Sequence, residues 1–257
     1  MSLVYVYAIA HADGAPPAGL RGMGDGVVRA ERAGDLAAFV SDVPEEEFAE
    51  VPLNANLSNM EWLAPRAIRH QEVNAGLAAA VDPLVPLSFG TVFRDRAGVE
   101  RMLRERAEEV APRLDALRGK AEWIAVVRRD EMALAALEST SAVLRELRGQ
   151  VEAAAPGRAY LIARRLDEAK RQELRASDAG AIVAAVAALE GTGGRLFREP
   201  LVEDAGGGMV ARFSLLAGRD AGAELDRTRI GDWAGRGYTL ELTGPWPAYR
   251  FATVDPT

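Results

Sequence analysis

Glu122-Trp123-Ile124-Ala125-Val126-Val127-Arg128-Arg129 follows a change of composition at Arg118-Gly119-Lys120. Upstream, Val99, Leu103, Val110, Leu114 and Leu117 recur on one helical face, and that face ends at Leu117. Downstream, EWIAVVRR is β-branched and apolar, which predicts a strand. The pattern after it decides the fold. Asp130 to Gly191 is helical in pattern, with one break at Ala155-Pro156-Gly157. Helix from Pro156 would point Tyr160, Ala163, Leu166 and Leu174 inward. Gly194–Val202 and Gly208–Ala217 read as two strands joined through Gly206-Gly207-Gly208. Asp220–Trp233 reads as a helix and Tyr238–Thr243 as a last strand. The order is strand, long helical crossover, strand, strand, helix, strand. That is the β-α-β-β-α-β order of a modified ferredoxin-like unit with an enlarged first crossover.

Working back from that segment, Leu3–Ala10 reads as a strand, followed by a Gly- and Pro-rich loop. Gly26–Glu31 and Leu36–Ser41 read as short strands around a turn at Ala33-Gly34. The acidic, proline-broken stretch from Asp42 to Asn59 reads as a surface loop. Ser58 can cap a helix whose regular part begins near Pro65, with Trp62, Ile68, Val73, Leu77 and Val81 at near-helical spacing. Pro83 closes it. Leu84–Phe93 reads as an apolar strand ending in a Gly-Thr turn, and Asp95 as the cap of the next helix. The fold class is therefore α+β. Two domains are expected, residues 1–119 and residues 120–257, the second carrying the C-terminal GPWPAY tail.

Bulk composition narrows the functions. The chain of 257 residues has a net charge of -7, which disfavours partnership with nucleic acid or an anionic membrane surface. It has no cysteine, which removes disulfides, thiol nucleophiles and cysteine metal sites and fits a cytoplasmic protein. The first residues alternate like a strand and lack a basic leader region, so they do not read as a signal peptide. No run approaches the ~18 apolar residues of a membrane span.

The residues form no recognisable reactive constellation. The two histidines, His11 and His70, are far apart in sequence, and no HExxH occurs. His70 reads as a surface or helix-packing residue. Ser88 lacks the context of a nucleophile elbow. The glycine clusters GMGDG, GTGG and AGGG do not sit between a strand and a helix as phosphate loops do. No catalytic, cofactor-binding or metal-binding residue is expected, and no cofactor.

Two stretches remain unusual, Pro83–Asp95 (PLVPLSFGTVFRD) and Thr243–Ala252 (TGPWPAYRFA). Both set aromatics, glycine and proline at a strand end and hold few reactive groups. Aromatics on stiff backbone lose little entropy on binding and are enriched at interfaces. Pro245 and Pro247 make a stiff spur around Trp246. That spur either locks the two halves of the chain together or presents Trp246 and Tyr249 to a partner.

Taken together, these stretches resemble the GvpF/GvpL family of gas vesicle proteins. The resemblance rests on Trp62 and the following His70-Gln71-Glu72-Val73. It rests also on Pro86, Phe89, Gly90, Thr91 and Phe93, on Gly157, Ala159, Tyr160 and Leu161, and on Gly244, Pro245, Trp246, Pro247, Tyr249 and Phe251. It runs over nearly the whole chain. It departs at Gln71, where the family often has His and Glu adjacent. The resemblance implies two α+β domains and a non-enzymatic accessory or minor structural protein of gas vesicle assembly. It also implies binding to the hydrophobic shell subunit GvpA and to other gas vesicle proteins. The rival reading is a ferredoxin-like ligand-sensing or enzymatic module. That reading requires a concave pocket with clustered titratable groups.

Overall fold

Strand β1 (Ser2–His11) is buried from Leu3 to Ala10, as a strand covered on both faces must be. It pairs antiparallel with β3 (Leu36–Pro44), which pairs antiparallel with β2 (Arg29–Ala33). The β1–β3 register shifts between Val6 and Ala8. One extra residue moves every later side chain to the opposite face. Hence Leu3, Tyr5 and Tyr7 share one core cluster with Ala8 and Ala10, although the numbering changes from odd to even. The structure is a computed structural model and describes residues 2–201, 208–222 and 231–252.

The other edge of β1 carries two very short strands, β4 (Val85–Pro86) and β5 (Val92–Phe93), both antiparallel to it. The expected single strand over Leu84–Phe93 is thus two pieces around a turn at Ser88–Thr91. Asp42–Asn59 is not a loop. β3 runs to Pro44, and α1 (Glu45–Phe48) and α2 (Glu50–Asn56) follow. Pro52 lies in the first turn of α2, where a missing N–H costs little.

Helix α3 (Met60–Ala80) starts earlier than expected, capped by Asn59, whose side chain accepts from the Glu61 N–H at 3.1 Å. It buries His70, Val73, Asn74 and Leu77. Ile68, expected inward, is 60% exposed. Asp95 does cap the next helix, accepting from the Gly98 N–H at 2.8 Å. That helix divides into α4 (Arg96–Glu105) and α5 (Ala107–Leu117), which bury Val99, Leu103, Val110, Leu114 and Leu117. Glu31 is buried on β2 and is held by Arg29 at 2.9 Å and Arg96 at 2.5 Å. Both partners are needed, because an unpaired buried carboxylate is costly.

The second sheet has the order β7 (Arg195–Arg198), β8 (Met209–Gly218), β6 (Lys120–Arg129), β9 (Tyr238–Trp246). β7 and β8 are antiparallel. Alternate residues of the long strands, Trp123, Ala125 and Val127 on β6 and Ala211, Phe213, Leu215 and Ala217 on β8, form one core. The crossover after β6 is three helices, α6 (Met132–Thr140), α7 (Ala142–Ala153) and α8 (Pro156–Glu190). α8 lays Ala181, Ala185 and Leu189 into that core. Its first half lies along α7, burying Ile162 and Leu166, with Leu144 buried on α7. Tyr160, expected inward, is 64% exposed. Most of the helix expected over Asp220–Trp233, and Gly206-Gly207 of the expected turn, lie outside the described residues. Gly231–Arg236 is a 3-10 turn.

The chain divides into two compact units, Met1–Glu122 with Pro245–Thr257, and Trp123–Gly244. The tail after Gly244, assigned on the sequence to the C-terminal half, counts with the first unit. Its Pro247, Ala248 and Ala252 are buried. β9 also runs through Gly244 and Pro245 to Trp246, three residues beyond the expected end.

Candidate functional site

The turn Ser88-Phe89-Gly90-Thr91 is held on β1 from both sides. Leu87 N–H donates to Tyr7 O at 2.8 Å, and Val6 N–H donates to Thr91 O at 2.9 Å. Thr91 Oγ1 donates to Ser88 O at 2.8 Å. Gly90 has a φ of 86°, a region that favours glycine. Its N–H donates to the Tyr5 hydroxyl at 3.0 Å.

Tyr5 connects this turn to His70. The Tyr5 hydroxyl lies 3.0 Å from His70 Nδ1, and Asn74 Nδ2 lies 3.0 Å from His70 Nε2. Rings crowd around the imidazole, with centroids 5.7 Å away for Phe89, 5.8 Å for Tyr5, 6.0 Å for Tyr7 and 6.4 Å for Tyr249. Burial lowers the His70 pKa to about 4, against the opposing pull of the Leu87 carbonyl. Burial also raises Tyr5 and Tyr7 and pushes Tyr249 up to about 12. All four groups are therefore uncharged at neutral pH. A histidine that is neutral, enclosed by rings and hydrogen-bonded at both nitrogens is a packing element. The packing alternative given for His70 on the sequence is the one found, whereas an apolar tally left His70 and Asn74 out of the inward face of α3.

Trp62 extends the ring cluster, 5.4 Å from Phe48 and 6.4 Å from Phe89. Its Nε1–H donates to Glu47 at 2.7 Å. Arg66 bonds the same carboxylate and stands 4.3 Å over the indole ring. This clamp fixes α1 against α3.

Beside the cluster lies a groove of about 750 Å³, lined by Leu3, Phe48, Val51, Pro52, Leu53, Gly90, Val92 and Phe93, with Glu45, Glu50 and Arg94 also lining it. Val51 is 81% exposed. Of the residues singled out on the sequence, Gly90 and Phe93 line this groove. Trp62, Phe89 and Tyr249 belong to the ring cluster. Thr91 closes the turn, and Pro86 is buried on β4, opposite Ala8. Pro247 is buried, Trp246 half-buried, and Gly244 and Pro245 are exposed on β9. Tyr160 stands apart, on α8. Arg250 N–H donates to the buried Glu122 carboxylate at 2.7 Å, which ties the tail to the start of β6. His11, partly exposed, stands 3.3 Å from Arg118 and 3.7 Å from Asp115.

Among the described residues, no three His, Asp or Glu side chains gather as a metal site. No helix there is long and apolar enough to cross a membrane.

Residues 3–253 match the profile described as "Gas vesicle synthesis protein GvpL/GvpF". The chain belongs to the GvpL/GvpF family. It is 34% identical to gas vesicle protein L of a Streptomyces species, covering 98% of this chain and 93% of that one. It is also 34% identical to gas vesicle protein F of the same organism, covering 96% and 98%. Gas vesicle protein L2 of Halobacterium salinarum is 28% identical, covering 96% and 90%. The crystal structure of GvpF from an Anabaena species is similar over 100% of both chains, with a TM-score of 0.75 and 17% identity. That of GvpF from Microcystis aeruginosa gives a TM-score of 0.64 at 17% identity, covering 98% and 99%. At such identity these two likenesses establish the shared fold of mixed helix and sheet.

Proposed function

We propose that this GvpL/GvpF-family protein is a non-enzymatic accessory or minor structural protein of gas vesicle assembly. It binds the hydrophobic shell subunit GvpA in the groove between α1–α2 and β5, and other gas vesicle proteins elsewhere on its surface. The observation that carries this reading is a groove of mixed polar and apolar lining, with Val51 and Phe93 along it and the ring cluster behind it, in a chain of this family. Pre-formed apolar clefts on rigid frames suit extended or helical apolar segments. The buried titratable groups beside it are held neutral by packing, which suits a scaffold better than acid–base chemistry. The protein works in the cytoplasm, at the gas vesicle. We read the second unit as the modified ferredoxin-like domain. Its spatial order, second strand, third, first, fourth, supports that, with α6–α8 as the enlarged first crossover.

The test is a binding assay of the purified protein against each gas vesicle protein encoded beside its gene, with GvpA first. Val51→Asp places a charge on an exposed groove residue and leaves the fold intact. It should weaken GvpA binding at least tenfold. Unchanged binding by a folded Val51→Asp protein rejects the groove as the site. Failure of the wild type to bind GvpA rejects the partner.

A further inference from the structure

Helix α8 has 35 residues, so it is roughly 50 Å long. Ala181, Ala185 and Leu189, which hold it to the sheet, all lie in its last third. Its beginning forms the tip of a hairpin with α7. There Tyr160 is 64% and Leu161 62% exposed. Arg158, Arg164 and Arg165 are exposed around them. On a helix, Arg164 falls one turn after Tyr160 and Leu161, while Arg158 and Arg165 lie one turn before and after Leu161. Four other basic residues of the arm are paired. Arg148 and Lys170 meet Glu138, and Arg171 and Arg175 meet Glu168. Arg158, Arg164 and Arg165 form no ion pair among the described residues. The tip is therefore an apolar pair flanked by three arginines without an ion pair among the described residues, with Glu152 and Asp167 exposed near them, in a chain whose net charge is -7.

The converse surface exists on the first unit. The groove offers Val51 and Phe93, over the buried Phe48 and Leu53, and Glu50 lines it. Glu46 and Glu50 are exposed and form no ion pair among the described residues. Glu45 lines the same groove, and among the described residues Arg94 is the one basic residue lining it. Apolar-plus-acid on one unit thus complements apolar-plus-base on the other.

We propose that the α7–α8 tip of one molecule docks in the groove of a second copy of this chain. Tyr160 and Leu161 enter between α2 and β5, and the arginines face Glu46 and Glu50. The contact joins two different patches, so it is head-to-tail and leaves a free tip and a free groove at the ends. It goes beyond the shell-subunit reading and gives the same groove a second occupant, so that self-association and subunit binding exclude each other. Release of stored protein by the arriving subunit is the consequence.

Sedimentation velocity of the purified full chain tests this without any other protein. The mass should rise above the 27.5 kDa monomer as concentration increases, and fall back as salt screens the charges. Arg164→Glu with Arg165→Glu should weaken association at least tenfold, as should Glu46→Arg with Glu50→Arg. An equimolar mixture of the two charge-reversed proteins should associate again. Tyr160→Ser with Leu161→Ser removes the apolar part alone and should also yield monomer, with unchanged melting. A wild type that is monomeric at every concentration overturns the proposal. So does association that survives both reversals, or a mixture that stays monomeric. A monomeric chain whose tip binds anionic phospholipid vesicles also overturns it. A failed GvpA assay leaves these outcomes unchanged, because no GvpA is present.

Discussion

His70 makes a prediction that pH alone can test. The unfolded chain protonates an ordinary histidine near pH 6.5, whereas burial lowers the folded value to about 4. The residue is 5% exposed, so solvent screening does not erase the difference. Between those two values the unfolded state binds the proton and the folded state does not. Stability contributed by the neutral imidazole is therefore present above about pH 6.5 and is lost as pH falls toward about 4. From the two pKa values, the loss between about pH 7 and about pH 5 is about 2 kcal/mol, approaching about 3 kcal/mol at lower pH. Carboxylates also titrate at the acid end, so the wild type alone does not isolate the effect. His70→Gln supplies the reference. It keeps hydrogen-bonding capacity and cannot take up the proton, while every carboxylate is shared. Urea denaturation of both proteins across that range should give curves that converge as pH falls, with the difference in unfolding free energy shrinking by about 2 kcal/mol. Parallel curves would show that His70 titrates normally in the fold. The enclosing cage of Tyr5, Tyr7, Phe89 and Tyr249 would then be wrong.

Trp246→Ala removes a half-buried indole. It should lower stability by about 2 kcal/mol, less than the ~3 kcal/mol or more of a fully buried ring. Partner binding should fall only as far as folding does; unchanged melting with lost GvpA binding would make Trp246 an anchor instead. Gly90→Ala should cost about 1–2 kcal/mol, because its φ of 86° strains any residue with a Cβ. Gly149→Ala is the contrast: it lies within α7, where an added methyl group meets open space, so it should stabilise by about 0.5–1 kcal/mol. Thermal melts of both glycine variants check the pair. His11→Ala should leave melting and vesicle formation intact, and loss of function in a folded protein would give His11 a chemical role.

What was legible in the sequence follows from how local the physics is. The Asp95 cap, the α4–α5 face and the start of α8 at Pro156 each depend on residues within a turn or two. All three match the structure. The reading failed where a polar residue replaced an apolar one in the stripe. The inward face of α3 is His70, Val73, Asn74, Leu77, which is helical spacing once His and Asn are admitted. Counting only apolar residues drew in Ile68 on the wrong side. Proline misled in the same local way: Pro52 marked a break, yet in a first turn it removes a donor that had no intrahelical partner.

The candidate site depended on longer-range contacts. Tyr5, Phe48, Trp62, His70, Phe89 and Tyr249 come from five separate stretches, Trp62 and His70 sharing α3. No window of sequence shows that Tyr5 reaches both Gly90 and His70, since that follows from β1 pairing with β5 and packing under α3. The β1 bulge matters for the same reason. Without the shift between Val6 and Ala8, Ala8 and Ala10 would turn away from the core that Tyr5 and Tyr7 enter. The tail shows the limit most clearly. Its local pattern, a strand running into GPWPAY, attached it to the strand before it. What places it with the first unit is Tyr249 beside His70 and the Arg250 N–H on Glu122, partners more than a hundred residues away. Two prolines keep that short segment extended before it docks, so less entropy is lost on closing the chain. The spur thus stands where the chain passes back to the unit in which it began.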